Sequence, residues 1–375
     1  MLIKRYYQNL DEYITPGKVL IIYGPRRVGK TTLLKSFLEE TKVSYKLDSG
    51  DNIITQQILG SNDFRRIFEY AAGYDLLALD EAQQIPNIGV GLKILVDQKP
   101  NLKIIATGSS SFDLAQKTGE PLTGRKRTLT LFPMSQEELL SVHTLFELKQ
   151  HVEDFLIFGS YPEIITQSTS QEKIRALQEL VSSSLLKDIF TLENIRLSRA
   201  VLDLVKLLAF QIGSEVSHHE LATQLGINVK TVERYLDLLE KTFVIFRLGA
   251  FSRNLRNEIR NKQKYYFYDT GIRNAFVNQF NPLSLRDDVG KLWENFIIAE
   301  RMKYRSYHEI YGNTYFWRTY EQQEIDLIEE REARLSAYEM KWKPSSAKPP
   351  KSFFNTYPKS EYTIVHADNY MDFIL

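Results

Sequence analysis

KVLIIYGPRRVGKTTLLKSFLEE, residues 18–40, decides how the first third of the chain folds. Residues 18–23 are a short apolar run, and from Thr31 onward the pattern turns helical, with Leu33, Leu34, Phe37 and Leu38 on one face. Between strand and helix, residues 24–31 (GPRRVGKT) fit the phosphate-loop pattern G-x-x-x-x-G-K-[ST] in full. In such a loop the backbone N–H groups ring the β- and γ-phosphates, and Gly29 lets the chain approach closely. Lys30 supplies a mobile cation and Thr31 a ligand for Mg²⁺. The expected nucleotide contacts are Gly24, Pro25, Arg26, Arg27, Val28, Gly29, Lys30, Thr31 and Thr32, with ATP or ADP as ligand and Mg²⁺ as its metal.

Further buried-strand runs at 76–79 (LLAL), 103–106 (KIIA) and 128–132 (TLTLF) alternate with helical stretches, which implies an α/β fold with a largely parallel sheet. The run LLALDE ends in two acids with separate tasks: Asp80 to hold the Mg²⁺ shell and Glu81 to polarise an attacking water. After KIIA come Thr107 and Ser109, hydroxyls placed either to sense the γ-phosphate, Ser109 before Thr107, or to cap the next helix. Arg125 precedes TLTLF. It reads either as a finger reaching the nucleotide of a neighbouring subunit in a homo-oligomer, or as part of a surface patch with Lys126 and Arg127.

At 375 residues the chain has room for two or three domains of roughly 150 residues each. Its 43% hydrophobic and 25% charged residues are those of a globular protein and exclude disorder or collagen-like repetition. With 48 basic and 47 acidic residues, any polyanion must be met by a local patch. There are no cysteines, which excludes disulfides, thiolate metal sites and cysteine nucleophiles. The polar start and the lack of any apolar run near the roughly 18 residues of a membrane span give a cytoplasmic expectation with no membrane partner.

Residues 135–210 read as helical. Residues 217–241 read as helix, a turn at Gly226 and a second helix capped by Asn228; with FVIFRLGAF as a strand hairpin they would complete a winged helix-turn-helix. Lys230 and Arg234, with Thr231 and Tyr235 beside them, stand near the start of the second helix. SRNLRNEIRNKQK adds Arg253, Arg256, Arg260, Lys262 and Lys264. These would neutralise phosphates of double-stranded DNA; the alternative is a packing or protein-interaction module. His218 and His219 read as a polar helix start, with no third ligand for a metal.

The last hundred residues are mixed: a helix near 290–303, strands TYFWRTY, EIDLIEE and LSAYEMKW, the proline-rich loop KPSSAKPPKS and a final strand EYTIVHAD. Glu324 and Asp326 lie two apart on one strand, as do Glu339 and Lys341 on the next. Neighbouring strands would gather Asp326, Glu339 and Lys341 into the D…ExK arrangement of metal-dependent nucleases, or into salt bridges on a solvated sheet.

Residues 24–31, the LDEAQ strand end, TGSSS, TGR followed by LFPMS, YFYDTGIRNAF, GKLWENFIIAE, EIDLI and YEMKW together resemble a group of bacterial and archaeal AAA+ ATPases related to the Orc-like and STAND branches. That resemblance implies a C-terminal domain of unknown function with a PD-(D/E)XK restriction-endonuclease-like core, and makes Glu294 an additional acid of its metal site. The implied division is a P-loop AAA+ core at 1–134, a helical lid at 135–210, a winged helix at 211–262 and the nuclease-like α/β domain at 263–375. Two functions stay open: an ATPase controlling DNA binding and a nuclease-like domain, or a nucleotide-switched regulator or adaptor that does not cut.

Overall fold

The computed structural model describes residues 3–108, 122–185, 199–252, 263–319, 321–346 and 348–375. Its first sheet contains β1 (Val19–Tyr23), β2 (Tyr45–Ser49), β3 (Leu76–Asp80), β4 (Lys103–Gly108) and β5 (Lys126–Thr130), all parallel, in the order β2-β3-β4-β1-β5. Every residue of β1 is buried because both faces of the sheet are covered. Leu20 and Ile22 face the core that includes α1 (Lys30–Glu40). Val19, Ile21 and Tyr23 face the second core, with α2 (Ile53–Leu59), α3 (Phe64–Tyr70) and α4 (Ile88–Gln98). Leu33, Leu34, Phe37 and Leu38 are buried on α1, as the spacing required.

Nothing in the hydrophobic pattern signals β2. YKLDS has no apolar run because it is an edge strand with partly exposed residues throughout. β5 begins two residues before the expected TLTLF; Leu131 still donates its N–H to the Tyr23 carbonyl at 2.7 Å.

Beyond β5 come α5 (Gln136–Leu139), α6 (Val152–Phe158), α7 (Ser170–Glu179) and α8 (Arg199–Phe210). Capping boxes at Ser135 and Thr169 start α5 and α7. Next follow β6 (Glu215–Val216), α9 (His218–Leu225), α10 (Val229–Lys241), β7 (Ile245–Ala250) and β8 (Gln263–Phe267). Ser217 caps α9, Gly226 ends it, and Asn228 caps α10 by accepting the Thr231 N–H at 2.8 Å. FVIFRLGAF is not itself a hairpin: it supplies the single strand β7, whose antiparallel partner is β8, which also pairs with β6. The expected boundary at 262/263 therefore falls between the two strands of one ribbon.

That ribbon continues into the C-terminal part. After α11 (Thr270–Val277) and α12 (Val289–Tyr307) come β9 (Asn313–Arg318), β10 (Glu324–Arg331), β11 (Arg334–Met340), α13 (Lys351–Thr356) and β12 (Glu361–Val365). One sheet of seven strands results, in the order β12-β11-β10-β9-β7-β8-β6. α12 is buried along much of its length and reaches back to the first unit. Glu300 accepts the Gln136 N–H at 2.8 Å, and Lys303 Nζ donates to the Met134 carbonyl at 3.2 Å. Among the described residues no helix is long and apolar enough to cross a membrane.

Candidate functional site

The loop between β1 and α1 has the shape its sequence demands. Gly29 sits at φ 95° as the N-cap of α1, and a Cβ on Gly24 would lie 2.0 Å from the Leu131 carbonyl oxygen. Lys30 is buried and its Nζ donates to the carbonyls of Gly24 and Pro25 at 2.8 and 2.7 Å. Thr31 Oγ1 donates to Asp80 Oδ2 at 2.8 Å, which brings the loop hydroxyl and the acid at the end of β3 together. Asp80 Oδ1 accepts a short hydrogen bond from Thr107 Oγ1, which also receives the Glu81 N–H at 3.2 Å. Glu81 has a left-handed backbone at φ 50° and takes a bond from Gln83 Nε2. Thr107, fully buried, is thus the β4 hydroxyl joined to both acids; Ser109 lies outside the described residues.

Beside the loop is a cavity of about 700 Å³, lined by Ile3, Arg5, Val28, Thr32, Phe37 and Pro162 among others. Its far wall, Pro162 and Glu163, was not foreseen, although GSYPE at 159–163 carries the glycine and proline that break a helical pattern. Glu163 bonds Arg27 Nη1 at 3.1 Å and so joins this wall to the loop. Arg26 belongs to the loop itself, and Thr32 follows it on α1, at the cavity. Arg125, partly exposed at the start of β5, donates from Nε to Asp97 of α4.

A second cluster forms where β8, α12, β10 and β11 meet. The β9–β10 register slips between Ile325 and Ile328: both of these join the third core, whereas Leu327 joins the first. This bulge sets the direction of Asp326, which is buried and accepts the Met340 N–H at 2.8 Å. Burial, together with Glu294 and Glu339, raises the Asp326 pKa well above the usual aspartate range, against Lys264 and the Met340 bond. Glu339 Oε1 pairs with Lys341 Nζ at 2.6 Å, while Glu339 Oε2 is buried with no hydrogen-bond partner.

Asp326, Glu339, Lys341 and Glu294 lie close enough to act on one another's charge, and Glu294 is not the open ligand the resemblance implied. Its Oε1 receives Lys264 Nζ at 3.1 Å and the Tyr266 hydroxyl at 2.7 Å, and its Oε2 receives Lys291 Nζ at 3.2 Å. Among the described residues no group of three or more His, Asp or Glu side chains is set to hold a metal ion.

On α10, Lys230 and Arg234 are exposed, while Tyr235 is buried against the core and Thr231 is bonded to Asn228. Arg253, Arg256, Arg260 and Lys262 lie outside the described residues. Lys264, expected with them at a DNA surface, is fully buried in the acidic cluster. His218 Nε2 lies 3.2 Å from the Tyr265 hydroxyl.

Residues 16–140 match a family model described as an AAA domain, and residues 149–283 and 289–373 match two models described as domains of unknown function. An uncharacterized protein of Mycobacterium tuberculosis is 25% identical over 328 residues, covering 86% of this chain and 70% of the relative. One of Methanocaldococcus jannaschii is 24% identical over 315 residues, covering 78% and 68%. Among solved structures, the Thermotoga maritima RuvB Holliday junction branch migration motor is 18% identical with TM-score 0.28, covering 61% of this chain and 82% of that one. Drosophila ORC bound to AT-rich DNA and Cdc6 is 12% identical with TM-score 0.25, covering 71% and 87%. Scores this low do not establish a shared fold. The family match, the parallel sheet and the loop together make the N-terminal unit a P-loop nucleotide-binding domain of AAA type.

Proposed function

We propose that the chain is an Mg²⁺- and ATP-dependent ATPase that uses nucleotide state to control a DNA-binding winged helix and a restriction-endonuclease-like C-terminal domain. The observation that carries the ATPase reading is the hydrogen-bonded chain Thr31–Asp80–Thr107 with Glu81 at its end. Lys30 leaves its loop carbonyls for the β- and γ-phosphates, and the loop N–H groups take the remaining charge. Thr31 and Asp80 would hold Mg²⁺, which would supply positive charge against the transferring phosphoryl group. Thr107 orients Asp80 and Glu81, and Glu81 accepts a proton from the attacking water. The cavity beside Pro162 takes the nucleoside. In a homo-oligomer Arg125 exchanges Asp97 for the γ-phosphate of the neighbouring subunit.

The order α8-β6-α9-α10-β7-β8 supports the winged helix, with Lys230 and Arg234 exposed near the start of its second helix. The order α12-β9-β10-β11-α13-β12, with Asp326 at a bulge facing Glu339, supports the nuclease-like core. There the residues fit one divalent ion at Asp326 and the unpartnered Glu339 Oε2, an ion that would activate water and stabilise a pentavalent phosphate. As functional units we keep the division at 1–134, 135–210, 211–262 and 263–375, although β7 and β8 of one ribbon lie on either side of its last boundary and both belong to the C-terminal sheet.

A second reading, a nucleotide-switched regulator or adaptor that does not cut, is favoured by one observation: Glu294 is saturated by Lys264, Tyr266 and Lys291. Steady-state phosphate release tests the ATPase. Lys30→Ala should abolish nucleotide binding or turnover, and Glu81→Gln should retain ATP and stop hydrolysis. Turnover at the parent rate in Glu81→Gln would remove Glu81 as the water-activating residue.

A further inference from the structure

Lys264 has no exposed surface, yet its Nζ lies 3.1 Å from Glu294 Oε1 and in short contact with Glu324. A buried ammonium is held only where surrounding charge offsets its desolvation. Here burial acts to lower its pKa, and Glu294, Asp326 and Glu324 reverse that and hold it above the ordinary lysine value. Tyr266, two residues along β8, donates to the same Glu294 oxygen. Glu324 Oε2 in turn lies 3.9 Å from Arg318 Nε. One face of the ribbon strand β8 therefore supplies a fixed cation to an acid cluster carried by α12 and β10.

We propose that Lys264 is the resident cation of this cluster, a positioning residue that holds Glu294 and Glu324 away from any divalent ion and confines such an ion to Asp326 and Glu339. The inference rests on the reading of Asp326 and Glu339 as a metal-binding pair, and it changes the part given to Glu294: that residue binds a lysine, not a metal. It also gives the ribbon a share in the site, because Lys264 reaches the cluster from the helix-turn-helix side of the sheet.

The test is calorimetric titration of the nucleotide-free full chain with Mn²⁺ alone, with Asp326→Asn marking the part of the binding that belongs to this cluster. Lys264→Met should bind Mn²⁺ at least about tenfold more tightly than the parent, or take up a second ion, because one positive charge has left the carboxylates. Lys264→Arg should bind as the parent does. A folded Lys264→Met with parental affinity and stoichiometry overturns the proposal. Lys264→Gln serves as the second charge-free variant, with the same expectation, if Met at this position prevents folding.

Parental binding that ignores Asp326→Asn would refute the metal-binding pair alone. In that event an additional Mn²⁺ site that appears only on removing Lys264 still upholds the role of the lysine, and titrations that stay identical with and without Lys264 overturn it. Thermal unfolding gives a readout independent of metal. Lys264→Met should lower the midpoint, and adding Glu294→Gln should restore part of the loss by removing the uncompensated charge. A double variant no more stable than the single one would show that Glu294 does not depend on the lysine, and would overturn the proposal.

Discussion

Arg5→Met tests whether the N-terminal segment is part of the nucleotide site. The Arg5 guanidinium is buried between four parts of the chain: Nε bonds Glu138 Oε1 at 2.9 Å, Nη1 the Val28 carbonyl at 2.9 Å, and Nη2 the Phe132 carbonyl at 2.7 Å and the Tyr307 hydroxyl at 3.3 Å. Glu138 is also buried, with side-chain exposure of 1%, and keeps bonds from the Tyr6 and Ser135 N–H groups when the arginine is gone. Removing one partner of a buried ion pair costs about 3–5 kcal/mol, and those two remaining bonds put this case at the lower end, about 3 kcal/mol. Met fills most of the volume, so the loss reports charge and hydrogen bonds more than a void.

The assay is urea unfolding of the full chain, read at its first transition because the chain has more than one unit. The double variant Arg5→Met/Glu138→Gln should recover about 1–2 kcal/mol of the loss, since the stranded charge is then absent. The Val28 carbonyl belongs to the phosphate loop, so a fluorescent ADP analogue should bind Arg5→Met more weakly, by about two- to tenfold if half the value of one unpaired buried carbonyl is transmitted to the loop. A stability loss below about 1 kcal/mol, the value of a surface pair, with unchanged nucleotide affinity would refute the reasoning.

Because the folded state holds the Asp326 proton more tightly than the unfolded chain does, the stability this group contributes is present below the ordinary aspartate pKa and is lost as pH rises through its raised value. Asp326→Asn should therefore match the parent in acid and exceed it by more than about 1 kcal/mol at neutral pH in urea melts, and a pH-independent difference would contradict the assignment. Arg125→Ala should lower turnover without weakening ATP binding, and only where the protein self-associates. Mixing it with a Lys30→Ala variant should restore part of the activity, whereas a fully active monomer would return Arg125 to its surface pair with Asp97. For DNA, replacing Arg253, Arg256 and Arg260 together should weaken duplex binding across sequences and flatten its salt dependence by about 0.9 log unit for each phosphate no longer neutralised. Unchanged binding in a salt series would move the DNA-facing surface elsewhere, with Lys230→Ala/Arg234→Ala the next variant to titrate.

How legible these features were depends on the range over which each residue finds its partners. The phosphate loop is a local structure: residues 24–31 must turn, approach phosphate and start a helix within one stretch, and each demand leaves a residue type behind. The helix pair α9 and α10 with its turn at Gly226 was legible for the same reason, through the caps at Ser217 and Asn228. β2 was not, since an edge strand carries no apolar run. The pairing of β7 with β8 was missed because the two strands are separated by residues 251–262 and no tight-turn signal joins them. Lys264 looked like one more cation in a basic stretch, and only the fold brings Glu294 and Glu324 against it. Arg5 gave no signal at all: two of its acceptors are backbone carbonyls, and Tyr307 lies 302 positions away.

Those two misreadings meet on one element. α12 carries Glu294 toward the acidic cluster, where Lys264 and Tyr266 hold it, and presents Glu300, Lys303 and Tyr307 to residues 132–136 and to Arg5. A helix this deeply buried is constrained by close packing along its length, so its two ends cannot be repositioned independently at low cost. The nucleotide loop reaches it through Arg5, and the ribbon strand β8 through Lys264. The charged residues at those junctions are thus explained by what they join: each is buried where it couples the AAA-type unit or the β7–β8 ribbon to the same helix, and an apolar residue at either place would take a cation from a buried carboxylate, Glu138 of α5 in one case and Glu294, which keeps Lys291, in the other.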